Sequence, residues 1–414
     1  MNIDSELLTR ELDTLASLSD APAPAVTRIV FSESDLEARR WFKGLCEASG
    51  LVVREDAVGN TFARWVGSQP ELGAVGTGSH IDAIPHSGKY DGTVGVLGGL
   101  EAIRALQRSG FKPRRSIEVL MFTSEEPTRF GIGCLGSRLL CGLLDAEADT
   151  RFRDKHGDTL EQVRTRAGFA GSLNSVRLPK SYYDAFVELH IEQGPLLERD
   201  GIPLGVVTAI AAPASSRITI EGEGGHAGAV LMPWRRDAFL AACELALAIE
   251  RAAKSSGAID TVGTVGVCDV FPGVVNGIAS RVSIETDVRD TDLARRDLVL
   301  EQIEEASREI VARRRVSIVS ETINADEPCV CAPSVVDALR EACRGQGLPF
   351  QNMVSRAYHD SLFMSRIAPS AMLFIPCRGG VSHRPDEYSS PEAIATGVRV
   401  LAETLKALSS LNTR

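Results

Sequence analysis

In the stretch RRSIEVLMFTSEE (residues 114–126), the run Ile117–Phe122 is almost wholly apolar, of strand length, and bounded by polar residues. That is the signature of a strand in a buried sheet rather than of a half-exposed hairpin. It ends by delivering two adjacent glutamates, Glu125 and Glu126, followed by Pro127. Side-by-side carboxylates near a core repel each other and call for a cation, a proton or open solvent. The stretch therefore predicts a buried sheet, and it leaves open which of the three meets the end of this strand.

Similar segments flank it. LGAVGTGSHIDA (72–83) and DAFVELHIEQGP (184–195) read as buried strands, DGTVGVLGGLEAIRALQRSG (91–110) as a helix with Gly110 at its end, and GLVVREDAVGNTFARWVG (50–67) as a hairpin. Strands alternating with helices predict an α/β domain, a mainly parallel sheet with helices on both faces. From residue 213 the rhythm changes to strand, helix, two strands, helix, strand, the order of a ferredoxin-like α+β sandwich. The α/β style resumes after the linker ADEPCVCAPS (325–334), with SAMLFIPCRGG (370–380) as a strand. The expected organisation is a catalytic domain of residues 1–212 and 327–414, with 213–326 as an inserted lid or dimerisation domain.

At 414 residues the chain is long enough for two domains, and its formal net charge of −10 speaks against a nucleic-acid partner. No apolar run approaches the roughly 20 residues of a membrane span, and the opening MNIDSELLTRELDTL is polar and acidic. The nine cysteines include no C-x-x-C pair; only Cys329 and Cys331 stand close. Reduced thiols in a cytoplasmic protein are the expectation, not a thiolate zinc site.

Of the seven histidines, three follow apolar runs: His80, His190 and His383. Ligands of open α/β sheets bind beyond the carboxyl ends of strands. Four strand ends thus bring three imidazoles, Glu125 and Glu126 to one edge, with Asp91 at the start of the following helix. Imidazole and carboxylate without thiolate suit manganese foremost in this reading, with zinc, cobalt or nickel as alternatives. His80, Asp91, Glu126, His190 and His383 suffice for two divalent ions if Asp91 bridges. Asp82 is placed to take the proton on the other ring nitrogen of His80. The paired glutamates then divide their labour: Glu126 neutralises a metal, and Glu125 stays free as general base for a water acidified towards a pKa of about 7. A single histidine after a strand is usually structural, and His86 and His156, in polar loops, are left so. A metal-binding scaffold is the non-enzymatic alternative, but it has no use for an unligated Glu125.

The motifs GSHIDAIPHSGKYDGTVGVLGGLEA, FTSEEPTRFG, ELHIEQGPLLE, GEGGHAGAVLMPWRRDA and GVSHRPDEYSSPE occur in family order along most of the chain. In them the chain resembles the di-metal amidohydrolase branch, which includes the N-carbamoyl-L-amino acid hydrolases and allantoate amidohydrolases, of the aminoacylase and carboxypeptidase G type metallopeptidases. The resemblance implies the same five ligands, Glu125 as base, hydrolysis of a linear ureido C–N bond, and a homodimer formed through the inserted domain. It also implies substrate contacts from Gln193 to the ureido nitrogens, from Asn276 and His226 to the scissile group, and from Arg289 to a carboxylate. Arg289 has an ordinary alternative as an ion-pair partner of Asp287 or Asp290. SRAYHDSLFMSRIAPSAMLFIPC (355–377) resembles one subgroup, whose substrate is a small ureido acid with a hydroxyl on its α-carbon. Relatives carry a glycine where Tyr358 stands, so Tyr358 and His359 are read as contacts to that hydroxyl. N-carbamoyl amino acids and allantoate are the alternative substrates.

Overall fold

The computed structural model describes residues 1–411. The chain divides into two compact units: residues 1–208, 331–353 and 359–411 form the first, and 209–330 with 354–358 the second.

The first unit is built on a sheet in which Gly205–Ile210, Ser370–Ile375, Tyr183–Ile191, Ala74–His80, Ile117–Phe122, Thr61–Trp65 and Val52–Glu55 lie side by side in that order. Only the middle four strands pair in parallel; Thr61–Trp65 runs antiparallel to Ile117–Phe122, and Gly205–Ile210 antiparallel to Ser370–Ile375. The sheet is therefore mixed, with a parallel centre flanked by antiparallel strands. The hairpin of residues 52–65 reverses direction through a tight connection, and a parallel partner needs a long crossover.

Both faces carry helices. A Cβ placed on Gly99, in the helix Thr93–Arg108, would touch Thr77 and Val119 of the sheet. Leu120, Phe122 and Phe186 belong to a different buried cluster that includes Leu135, Leu139 and Leu140. Successive residues of a strand point to opposite faces, so Val119 and Leu120 serve the two layers.

Parallel register then decides what meets at the edge. His80 is level with Phe122, and His190 with Phe374, so four neighbouring strands end together. The close approach depends on Gly78, at φ 149°, where a Cβ would lie 1.8 Å from the carbonyl oxygen of Leu120.

The second unit has a four-stranded antiparallel sheet ordered Val262–Phe271, Arg281–Asp290, Ala212–Glu221, Ser317–Ala325. The helices Ala238–Ser255 and Leu293–Arg314 contact each other and that sheet. Their buried residues, among them Leu245, Ile249, Val299 and Ile303, form a core with Ile218, Val282 and Ile284. This is the strand and helix order expected of a ferredoxin-like sandwich. Among the described residues no helix is long and apolar enough to cross a membrane.

Gly78→Ala should destabilise the protein by about 3 kcal/mol or more, since backbone rather than a movable side chain blocks the new methyl. Denaturant midpoints measure this; an unchanged midpoint contradicts the packing described.

Candidate active site

The carboxylate of Asp91 is the centre of the strand-end cluster. It is buried, and its Oδ1 lies 3.2 Å from His190 Nε2 and 3.6 Å from His80 Nε2. Its Oδ2 lies 3.1 Å from His383 Nε2, and His383 Nε2 is also 3.2 Å from Glu126 Oε1. Two sets of donor atoms result, each within 4.8 Å: His80, Asp91 and His190, and Asp91, Glu126 and His383. Asp91 belongs to both. Gln193 Nε2 (2.7 Å) and the Ser382 hydroxyl (2.8 Å) donate to Asp91 Oδ2.

The imidazoles are oriented from behind. His80 Nδ1 lies 2.9 Å from the main-chain carbonyl of Asp82, and His190 Nδ1 lies 2.8 Å from that of Ile191. Carbonyls accept only, so both rings carry their hydrogen on Nδ1 and, when neutral, turn an Nε2 lone pair towards the carboxylate of Asp91. Lone pair facing carboxylate is repulsive until a proton or a cation enters. Gly92, at φ 66°, leaves room for His80: a Cβ there would lie 2.4 Å from Nε2.

The expectation for Asp82 is corrected. Its carboxylate is 3.8 Å from His80 Nδ1, and the acceptor is the carbonyl of the same residue. The carboxylate instead accepts the main-chain N–H groups of Glu125 (3.2 Å) and Glu126 (3.0 Å). It thereby holds the irregular strand end, where Ser124 has a φ of 57°.

That irregularity sends the two glutamates to different partners. Glu126 Oε1 faces His383, whereas Glu125 Oε2 is 3.7 Å from His80 Nε2. The Cys134 thiol is 3.5 Å from Glu125 Oε1. Among the described residues, seven non-glycines have positive φ, and four of these, Ser124, Cys134, Gln193 and His383, border this cluster. Strain of that kind gathers where geometry serves chemistry.

Electrostatics follow from burial and crowding. Burial opposes the charge of Asp91, but hydrogen bonds from the three imidazoles outweigh it and hold Asp91 well below the usual carboxylate range. Burial likewise opposes the imidazolium of His80, yet Glu125, Asp91 and Asp82 raise it well above its ordinary value. His383 is pushed up to about 11 by its hydrogen bonds to Asp91 and Glu126. Burial, with the charges of Glu126, Asp360 and Asp91, pushes Glu125 well up against the pull of His80. Every shift reports demand for positive charge at the centre, as a divalent ion provides.

Gln193 keeps its Oε1 buried without a hydrogen-bond partner, an acceptor ready for an N–H. His359 is buried and sits edge-on to His190, with ring centroids 4.6 Å apart. Glu188, His190 and His359 also approach within ligand range, but Ser79 and Ser361 already occupy both oxygens of Glu188. Asp360 accepts the Ser137 hydroxyl at 2.5 Å, and burial together with Glu188 pushes it up to about 8. Sequence reasoning passed over Glu188, Asp360, Ser382 and Glu387, although the last two lie inside the quoted motif around His383.

The remaining predicted residues fall in the second unit. His226 and Asn276 are neighbours there: His226 pairs with Gly277, and the Asn276 carbonyl accepts the N–H of Ala227 at 2.9 Å. Arg289 grips Asp287 with Nε and Nη2 at 2.8 and 3.1 Å. Tyr358 is half-buried.

The model of peptidase family M20/M25/M40 matches residues 76–407. A ureidoglycolate hydrolase of Oryza sativa subsp. japonica is 55% identical over 413 residues, spanning 98% of this chain and 85% of that one. Another from Arabidopsis thaliana is 54% identical over 417 residues, spanning 99% and 87%. The crystal structure of AtUAH in complex with (S)-hydroxyglycine matches with a TM-score of 0.92 at 53% identity, covering 99% of this chain and 98% of that one.

Proposed function

The chain belongs to peptidase family M20/M25/M40, and from that premise we propose that it hydrolyses a linear ureido C–N bond, with (S)-ureidoglycolate as substrate. The observation that carries the reading is the single buried carboxylate of Asp91 shared between two sets of ligand atoms. It is supported by the likeness to ureidoglycolate hydrolases over nearly the whole chain.

The donors fit two divalent ions. His80, Asp91 and His190 would hold one; Asp91, Glu126 and His383 the other. Manganese is the first candidate for this oxygen and imidazole set, with zinc, cobalt and nickel behind it. Bound there, such ions supply Lewis acidity to the ureido carbonyl and acidify the attacking water.

Glu125 is the general base. It takes a proton from the water that attacks the ureido carbonyl and delivers it to the departing nitrogen. Asp82 fixes the backbone from which Glu125 projects. Gln193 Oε1 accepts a ureido N–H, which places the scissile carbon beside Asp91. Ammonia leaves; the carbamate loses carbon dioxide to give hydroxyglycine, and hydroxyglycine breaks down to glyoxylate and a second ammonia. Arg289 is read as the carboxylate anchor, exchanging Asp287 for a substrate whose two oxygens match its fork. Asn276 and His226 are read as donors to the carbonyl as it becomes tetrahedral. Tyr358 and His359 are read as partners of the α-hydroxyl.

The second unit also offers an interface. Val262–Phe271 is an edge strand with Val267, Val270 and Phe271 exposed, and unpaired edges of this kind are covered in stable proteins. A two-fold homodimer through this unit is the reading. Cys46, Cys134, Cys141, Cys243, Cys268, Cys343 and Cys377 are free thiols, in keeping with a cytoplasmic setting.

Glu125→Gln should keep its metal while losing turnover by about 10²–10⁴-fold, and Glu126→Ala should lose metal as well. Equal metal loss in the two variants removes the division of labour. Among ureidoglycolate, allantoate and N-carbamoylglycine, kcat/KM should be highest for ureidoglycolate. Tyr358→Gly should forfeit that lead, because buried hydroxyl partners contribute about 1–3 kcal/mol of discrimination each. A wild-type preference for either of the other two substrates defeats the assignment. Sedimentation at micromolar concentration should show a dimer; a monomer there contradicts the interface.

A further inference from the structure

We infer that Glu387 is a positioning residue, which fixes the carboxylate of Asp91 between its two donor sets without itself touching metal or substrate. The inference rests on the reading of Asp91 as the shared ligand.

Glu387 lies four residues beyond His383 and is buried. Its Oε1 accepts the main-chain N–H groups of Tyr90 at 2.8 Å and of Asp91 itself at 3.1 Å. Its Oε2 is 3.0 Å from the Ser382 hydroxyl, and that hydroxyl is 2.8 Å from Asp91 Oδ2. Asp91 is thus held at both ends, its backbone by one oxygen of Glu387 and its side chain by Ser382, which packs against the other oxygen of Glu387.

The segment so held needs holding. Residues 88–92 join a strand to the helix Thr93–Arg108, and glycines stand at both ends. Gly92 must lack a side chain for His80 to fit beneath it, and it has no side chain with which to cap the helix. Glycines give the loop many alternative conformations, and an oriented carboxylate accepting two successive N–H groups selects one.

The contact is steric as well as polar. A Cβ on Gly88 would lie 2.3 Å from Glu387 Cβ and 2.5 Å from its Oε1. The loop therefore runs against Glu387 with no room for a methyl group. Displacing Glu387 frees two buried N–H groups, loosens Ser382 and lets Asp91 rotate, so the ions would feel a change in a residue that does not ligate them. Partners that orient a metal ligand are commonly worth about 10- to 100-fold in metal affinity.

The test uses Mn²⁺ alone, titrated into metal-free protein against a competing chelator, with thermal unfolding of the same samples. Wild type should take up two Mn²⁺ per chain. Glu387→Gln keeps a carbonyl for the two N–H groups and an amide for Ser382, so both affinities should stay within about threefold of wild type. Glu387→Ala should weaken at least one ion by about 10- to 100-fold. Gly88→Ala alters no polar group, yet it should weaken the same ion by pushing Glu387 aside; it and Ser382→Ala carry the test if Glu387→Ala fails to fold. Folded Glu387→Ala or Gly88→Ala binding both ions with wild-type affinity overturns the inference while leaving the two-ion reading intact. A wild type that binds fewer than two Mn²⁺ overturns that reading, and the inference with it.

Discussion

One buried carboxylate faced by three imidazole nitrogens governs this structure. Asp91 stands 3.1 to 3.6 Å from the Nε2 atoms of His80, His190 and His383. Carbonyls behind His80 and His190 have already taken their other ring hydrogens. A carboxylate in that setting is stable only with positive charge at its oxygens, because desolvation of an isolated charge is far too unfavourable. The surroundings do not relieve the demand. Glu125, Glu126 and Asp82 add three more carboxyl groups to the same cluster, and Glu188 and Asp360 are buried close by. An acidic interior of this kind makes divalent ions the natural occupants, and it explains why so much of the first unit is devoted to orientation.

The fold supplies that orientation by register. Parallel pairing of four strands brings their carboxyl ends level, so residues distant in sequence emerge side by side. The irregular positions follow the strands, Ser124 and Gln193 just beyond their ends and His383 farther on in the loop after Ser370–Ile375, and all three have positive φ. Regular sheet gives reach and alignment; the strained residues that follow give aim.

Much of this was legible in the sequence because it is carried by local pattern. Apolar runs of strand length ending in His80, in Glu125 and Glu126, or at His190 advertise both the sheet and its polar edge, and the change of rhythm near residue 213 advertises the second sandwich. The hairpin of residues 50–67 was legible, and Val52–Glu55 does pair antiparallel with Thr61–Trp65; that it would join the sheet antiparallel beside Ile117–Phe122 was not, since that partner is distant in sequence. The role of Asp82 was misread because its main-chain carbonyl, which no residue type reveals, takes the hydrogen its carboxylate was expected to take. Glu387 and Glu188 escaped notice for another reason. Their partners lie 296 and 173 residues away in Asp91 and Ser361, and only tertiary pairing shows that a glutamate in a polar loop, or one in a strand, is a fixed hydrogen-bond acceptor.

The central claim is that Asp91 joins two divalent ions into one centre. Electron paramagnetic resonance of the protein loaded with Mn²⁺ tests it most directly. Ions bridged by one carboxylate, roughly 3.5–4 Å apart as in other two-metal sites, give an exchange-coupled multiline spectrum that Asp91→Ala abolishes. A spectrum of isolated Mn²⁺ at full loading would contradict the account.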